Sequence, residues 1–312
     1  MKKKLLFAAL ISTTLLCNSC GTKNNVANSD ILPNDASQTN NTLSTNTTET
    51  NASDTQSDEN LSNNETPNDN TTSQDNQPAN DSGVVIIDSK TVEDQDTADD
   101  GTVIYSRSYT QPLVTIANNA EAAKKINADI QSRIDAFTAS DSIRNESHEY
   151  YELSSKEEGY DFFDYNENLE FEKVRSDNKV ISFIMTSSGY MGGAHGYYNS
   201  FGLNYDTKTG ELIDFAELSD NSDKFYNDTL EYNRELTQTD EYKERMFPED
   251  FFDGSELETV LYSDEKWYLS DEGLTFISNP YELGPYASGI IEFVIPYDKL
   301  AEMGLKEEYS YL

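Results

Sequence analysis

Between Thr22 and Ser82 the chain is a nearly unbroken run of Asn, Ser, Thr and Asp. Ile31, Leu32, Leu43 and Leu61 stand isolated in it, and no apolar period develops. Such a composition cannot bury enough apolar surface to offset the entropy of ordering the chain. It reads as a flexible tether in the random-coil regime, assigned to residues 20–100. Val84-Val85-Ile86-Ile87 is an apolar island inside it, suited to an outlying strand, and the acidic residues from Glu93 to Asp100 mark its end. Folding is thereby confined to about 210 residues, enough for one domain with a proper core or for two small lobes.

The first nineteen residues read as an export signal, with Met1-Lys2-Lys3-Lys4 as the positive start and Leu5 to Leu16 as a short apolar run. A span across a bilayer needs about 20 apolar residues, and this run stops at Cys17-Asn18-Ser19-Cys20. The segment resembles the cut site of a bacterial lipoprotein, with Cys17 in place of the usual leucine and Cys20 as the expected lipidated residue. Ordinary cleavage, with Cys17 and Ser19 as the small residues, would instead release a soluble chain. The anchored outcome is favoured because a cysteine at the cut, followed by Gly21 and a polar tether, otherwise has no use. It implies an outward-facing protein held at the cell membrane by lipid. Once the leader is removed Cys20 is the sole cysteine, which excludes an internal disulfide, a thiolate metal cluster and thiol catalysis.

The net charge is −36, and residues 101–312 alone keep 42 acidic against 17 basic residues, a balance of −25. Nucleic acid needs a basic footprint and is excluded as a partner, whereas cationic partners are favoured. Plain solubility explains the same charge equally well.

Val103–Tyr109 and Leu113–Ile116 have strand character, separated by Pro112. Ala122, Ile126, Ile130, Ile134 and Phe137 recur at spacings of three and four, which predicts a helix over 121–139 capped by Asn118 or Asn119. Residues 146–158 either extend it or form a second helix. Strands are predicted at 169–174, 180–186, 197–205, 266–269, 274–278 and 290–295. Helices are predicted at 225–236, at 241–253 with a break at Pro248, and at 298–303. Elements that come in blocks, rather than in β-α alternation, indicate an α+β fold of antiparallel sheets packed with a few helices. It divides into a strand-helix module at 101–160 and a C-terminal module at 161–312.

His148 and His195 are the only histidines, and neither has a second one at metal-ligand spacing, so no metal and no cofactor is implied. Asp161, Asp164, Asn166 and Glu167 lack the glycine turn and terminal glutamate of a calcium loop. No Gly-x-Ser-x-Gly elbow occurs, and no catalytic residue is assigned. Paired carboxylates acting on cell-wall glycans remain the alternative reading. The most distinctive stretch is Gly189-Tyr190-Met191-Gly192-Gly193-Ala194-His195-Gly196-Tyr197-Tyr198, a bent strand edge followed by aromatics. On the residues alone, His195 meets a neighbouring backbone group more readily than a ligand.

This stretch is followed by Asp206-Thr207-Lys208-Thr209-Gly210, by Asn279-Pro280-Tyr281-Glu282-Leu283-Gly284-Pro285-Tyr286-Ala287-Ser288-Gly289 and by Ile295-Pro296-Tyr297. In that order the motifs resemble an extracytoplasmic domain family, shared by lysozyme-sensing anti-sigma factors of the RsiV type and the non-catalytic part of PdaC-type peptidoglycan deacetylases. The resemblance covers about residues 103–300. It implies an outward-facing, non-catalytic binding module whose partner is a lysozyme-like basic protein or peptidoglycan. Neither a sigma-factor-binding segment nor a deacetylase domain with metal-binding histidines accompanies it here. Gly192, Gly193, His195, Tyr197, Tyr198, Tyr281 and Tyr286 are the candidate binding residues, and the four tyrosines either anchor a partner or pack inside the sheet.

Overall fold

The computed structural model describes residues 85–156, 162–248 and 255–311. The expected leader, Cys20 and the tether up to residue 84 lie outside the described residues.

Five strands form one sheet in chain order: β1 (Val85–Thr97), β2 (Val103–Ile116), β3 (Tyr165–Ser176), β4 (Val180–Tyr190) and β5 (Tyr197–Asp206). β1 pairs with β2 along its whole length, from Val85 opposite Ile116 to Thr97 opposite Val103. It thus occupies residues that composition alone gives to the tether. Hydrogen-bonded pairing makes it a strand, since beyond Val85 and Ile87 it offers little to the core. β2 runs unbroken through Pro112, where two strands are expected from sequence. The reason is that β3 pairs only with Tyr105–Tyr109, which leaves the later part of β2 one open side where a residue without an N–H is tolerated.

β2 and β3 are parallel and every other pair is antiparallel. A parallel pair needs a crossover, supplied here by α1 (Ala120–Thr138) and α2 (Ser142–Lys156). Asn119 caps α1 by accepting the Ala122 N–H, while Asn118 takes a φ of 63° in the turn before it. Ala122, Ile126, Ile130 and Ile134 are at most 2% exposed and pack on Val114, Phe183 and Tyr205 of the sheet. Each isoleucine so buried contributes about 1.5–3 kcal/mol of transfer free energy. The sheet continues across residue 160, where the sequence places a module boundary.

The second sheet is antiparallel, with β6 (Trp267–Leu269), β7 (Gly273–Ser278) and β8 (Ile291–Pro296). α3 (Ser222–Thr237), α4 (Asp240–Arg245), α5 (Glu256–Leu261) and α6 (Tyr297–Met303) surround it. β7 is buried at every position. The expected helix over 241–253 ends at Arg245, its later part lies partly outside the described residues, and α5 is an element the sequence does not announce. The architecture is α+β with mostly antiparallel strands, as expected.

Two buried asparagines join the sheets. Asn204 of β5 accepts from the Ser182 hydroxyl and the Leu269 N–H, both at 2.8 Å, and donates to the Trp267 carbonyl at 3.0 Å. Asn279, just past β7, accepts the Ser200 N–H at 2.7 Å and donates to the Ser200 carbonyl at 3.2 Å. Between them the Gly202 N–H donates to the Glu265 carbonyl. A side chain at Gly202 would put its Cβ 1.9 Å from the Trp267 carbonyl oxygen, so only glycine permits this approach.

Candidate functional site: an exposed aromatic patch

The loop between β4 and β5 turns on Gly192 and Gly193, both at φ 89°, a region closed to most side chains. Gly192 also lies under the Phe163 ring, where a Cβ would approach within 2.5 Å. The Tyr190 hydroxyl donates to the Gly193 carbonyl and fixes the loop tip. His195 projects from this loop and is exposed.

The loop between β7 and β8 brings the second half of the site. Glu282 anchors it, accepting the Asn279 N–H and the Lys266 ammonium at 2.6 Å each. Arg245 donates to the Ser288 and Ile290 carbonyls further along. Tyr281 is held at φ 69°, its N–H donating to the Gly284 carbonyl, and the residue is 59% exposed.

The two loops meet ring on ring. The His195 imidazole stacks on Tyr286 at 3.6 Å between centroids and 14° between planes. Its Nδ1 lies 2.8 Å from the Gly196 carbonyl oxygen, which can only accept, so Nδ1 carries the proton. In the neutral ring Nε2 then accepts from the Tyr281 hydroxyl at 3.1 Å. Tyr198 meets Tyr286 edge to face at 5.6 Å, and Tyr281 lies 5.9 Å from Tyr286. The backbone bond expected for His195 is present, and it holds the ring in an exposed cluster.

Of the seven candidate residues, His195, Tyr198, Tyr281 and Tyr286 are therefore brought together, and Gly192 and Gly193 shape the loop that carries the first of them. Tyr197 goes elsewhere. It faces Gly189 across the strand pair, and burial, with Glu167 second, pushes its phenol up to about 12. It serves the sheet rather than the patch.

Among its described residues the acidic stretch near residue 165 forms no cluster that could hold a metal ion. Asp161 lies outside the described residues. Glu167 points inward, accepting from the hydroxyl of Tyr105 and, at 3.1 Å, from Arg107. Arg107 in turn donates to the Thr138 and Ser140 carbonyls at the end of α1. His148 pairs with Asp96 at 2.8 Å, remote in sequence from His195. Lys266, Glu282 and Arg245, which set the second loop, carry no signal in the sequence, because isolated charges in an acidic chain look like solvated surface.

Fold and patch together define a class: a two-sheet α+β domain with an aromatic cluster at its surface, exposed at His195 and Tyr281 and half-buried at Tyr198 and Tyr286, in which no described helix is long and apolar enough to cross a membrane. Residues 99–198 match the family described as Deacetylase PdaC, and residues 216–298 match the family described as Protein of unknown function (DUF3298). The chain thus carries one match after the other, and this pair of families suggests an extracytoplasmic accessory domain. A crystal structure of a DUF3298 member from Bacteroides fragilis is similar with a TM-score of 0.51 at 19% identity, covering 72% of this chain and 95% of that one. A DUF3298 protein of Pseudomonas aeruginosa gives a TM-score of 0.48 at 13% identity, over 73% of this chain and 97% of that one. The Bacteroides likeness concerns the fold alone. No curated protein matches the chain.

Proposed function

We propose that the protein is a non-catalytic cell-surface binding module, anchored through lipid on Cys20, whose aromatic patch recognises a lysozyme-like basic protein. The observation that carries the reading is the stacking of His195 on Tyr286 beside the exposed, backbone-strained Tyr281. A non-glycine residue at positive φ costs about 1–3 kcal/mol and persists where its surroundings over-determine it, often at binding sites. Rings fixed in advance lose little entropy on binding, and interface energy concentrates in such aromatic anchors. The charge of the chain supports the choice of partner, since animal-type lysozymes are strongly basic and opposite potentials accelerate encounter.

The test is calorimetry of the purified chain with a c-type lysozyme over a range of salt. Saturable binding is expected that weakens with salt yet persists near physiological ionic strength, where the screening length is about 8 Å. Tyr286→Ala is expected to weaken it by at least about thirtyfold, the loss of one anchor of about 2 kcal/mol. Absence of saturable binding, or binding that a scrambled acidic polypeptide reproduces, would remove lysozyme and leave a wall glycan as the ligand. The anchor is tested by fractionation, in which Cys20→Ser moves the protein from membranes to medium. Wild type found wholly in the medium with unmodified Cys20 contradicts it.

A further inference from the structure

A cleft of about 410 Å³ opens where β5 meets the second sheet, and none of its described lining residues belongs to the patch. Gly202 and Asn204 line it together with the rings of Phe215, Tyr226, Tyr262 and Trp267. The rings interlock: Phe215 meets Tyr262 and Trp267 edge-on at 5.6 Å, and Tyr226 lies 4.5 Å from Tyr262. Burial, with the hydrogen bond to Glu258 second, holds the Tyr226 phenol up to about 12, so it stays neutral beside its carboxylate neighbours.

Three carboxylates complete the lining, those of Asp214, Asp264 and Glu265. Asp214 caps the Ala216 N–H, and Glu265 is held by Arg133 in a two-pronged contact. Asp264 is exposed and has no hydrogen bond or ion pair among the described residues. No Lys or Arg is among the described lining residues. Glu265 sits at φ 61°, one of three non-glycine residues at positive φ among those described, so backbone strain lies at this rim as it does at Tyr281.

Aromatic faces and carboxylates both attract a positive charge, the first through the ring quadrupole and the second directly. The volume lies at the lower end of the roughly 300–1,000 Å³ typical of small-ligand cavities. We propose that this cleft binds a small organic cation, a primary ammonium or guanidinium group on a compact body, with the rings against the body and Asp264 at the charge. The proposal stands independently of the partner of the patch.

Trp267 is the only tryptophan of the chain and lines the cleft, so intrinsic fluorescence of the whole protein reports occupancy. Titration with cyclohexylmethylamine is expected to give a saturable change, and the neutral cyclohexylmethanol none over the same range. Asp264→Asn is expected to weaken the amine by at least about threefold while thermal unfolding stays unchanged, because the side chain is exposed. Parallel titrations with Nα-acetyl-lysine amide and glucosamine identify a protein side chain or an amino sugar as the source of the cation, whichever binds more tightly. An equal response to the alcohol, no saturable response to the amine, or an unaltered Asp264→Asn affinity overturns the proposal.

Discussion

The seam at Asn204 and Asn279 and the patch at His195 are built from the same two parts of the chain, β5 with the residues before it and the segment from β6 to β8. They differ in what their polar atoms do. At the seam each amide group is buried and bonds backbone groups across the seam, and Asn204 also accepts the Ser182 hydroxyl of its own sheet. At the patch the rings satisfy one another at the surface and leave Tyr281 largely open to solvent. Residues of the first kind are needed to hold the sheets together, and residues of the second kind are available to something else. Opposite outcomes are therefore predicted for substitutions within β5 and for substitutions in the loops beside it.

The largest expected effect is that of Gly202→Ala. Its Cβ would collide with the backbone of Trp267, which cannot swing aside as a side chain tip would, so β5 and β6 must separate. A loss of about 3 kcal/mol or more is expected, read as a lower midpoint in urea unfolding. A variant as stable as wild type breaks the description of the seam. Asn204→Ala comes next. It strands the Leu269 N–H and the Trp267 carbonyl in a buried place, at a cost of about 2–3 kcal/mol by the same measurement.

The third effect is alkaline. Tyr197 and Tyr297 are both held up to about 12, by burial first in each case, against 10.0 for the free phenol. A pKa raised on folding means the native state holds the proton more tightly, so the associated stability is complete below pH 10 and is lost between pH 10 and about 12. Phenolate absorbance followed against pH, together with circular dichroism, is expected to show these tyrosines ionising as the fold is lost. Full ionisation near pH 10 with the fold intact contradicts this. The smallest effect belongs to the patch, where His195→Ala is expected to change stability by no more than about 0.5 kcal/mol.

How much of this was legible in the sequence follows from how local each feature is. The α1 stripe from Ala122 to Ile134 was readable because one helical period decides it. The motif Asp206–Gly210 is as local, a turn in which the Asp206 carboxylate accepts the N–H groups of Lys208 and Thr209 and Gly210 takes φ 71°. Of β1 only the start was readable, as the apolar island ending at Ile87, because the polar remainder of a strand on one partner has no period to show. Pro112 suggested a break because the open side of β2 depends on where β3 stops. In the patch, His195, Tyr198, Tyr281 and Tyr286 stood out as aromatics beside glycine-rich loops. Tyr197 looked the same one residue from Tyr198, and the alternation of a strand sent it to the other side. The cleft was invisible, since Gly202, Phe215, Tyr226, Tyr262 and Trp267 come from separate elements and each reads alone as core.

The central claim is that the patch serves recognition and not folding. The direct measurement pairs thermal unfolding with lysozyme calorimetry on wild type, Tyr286→Ala and Asn204→Ala, the last examined at a temperature where it remains folded. Tyr286→Ala is predicted to lose at least about thirtyfold in affinity with stability within about 1 kcal/mol of wild type, and Asn204→Ala to lose stability while the folded fraction binds normally. Unchanged affinity in Tyr286→Ala, or a loss of binding that merely tracks the loss of stability across the two variants, would contradict it.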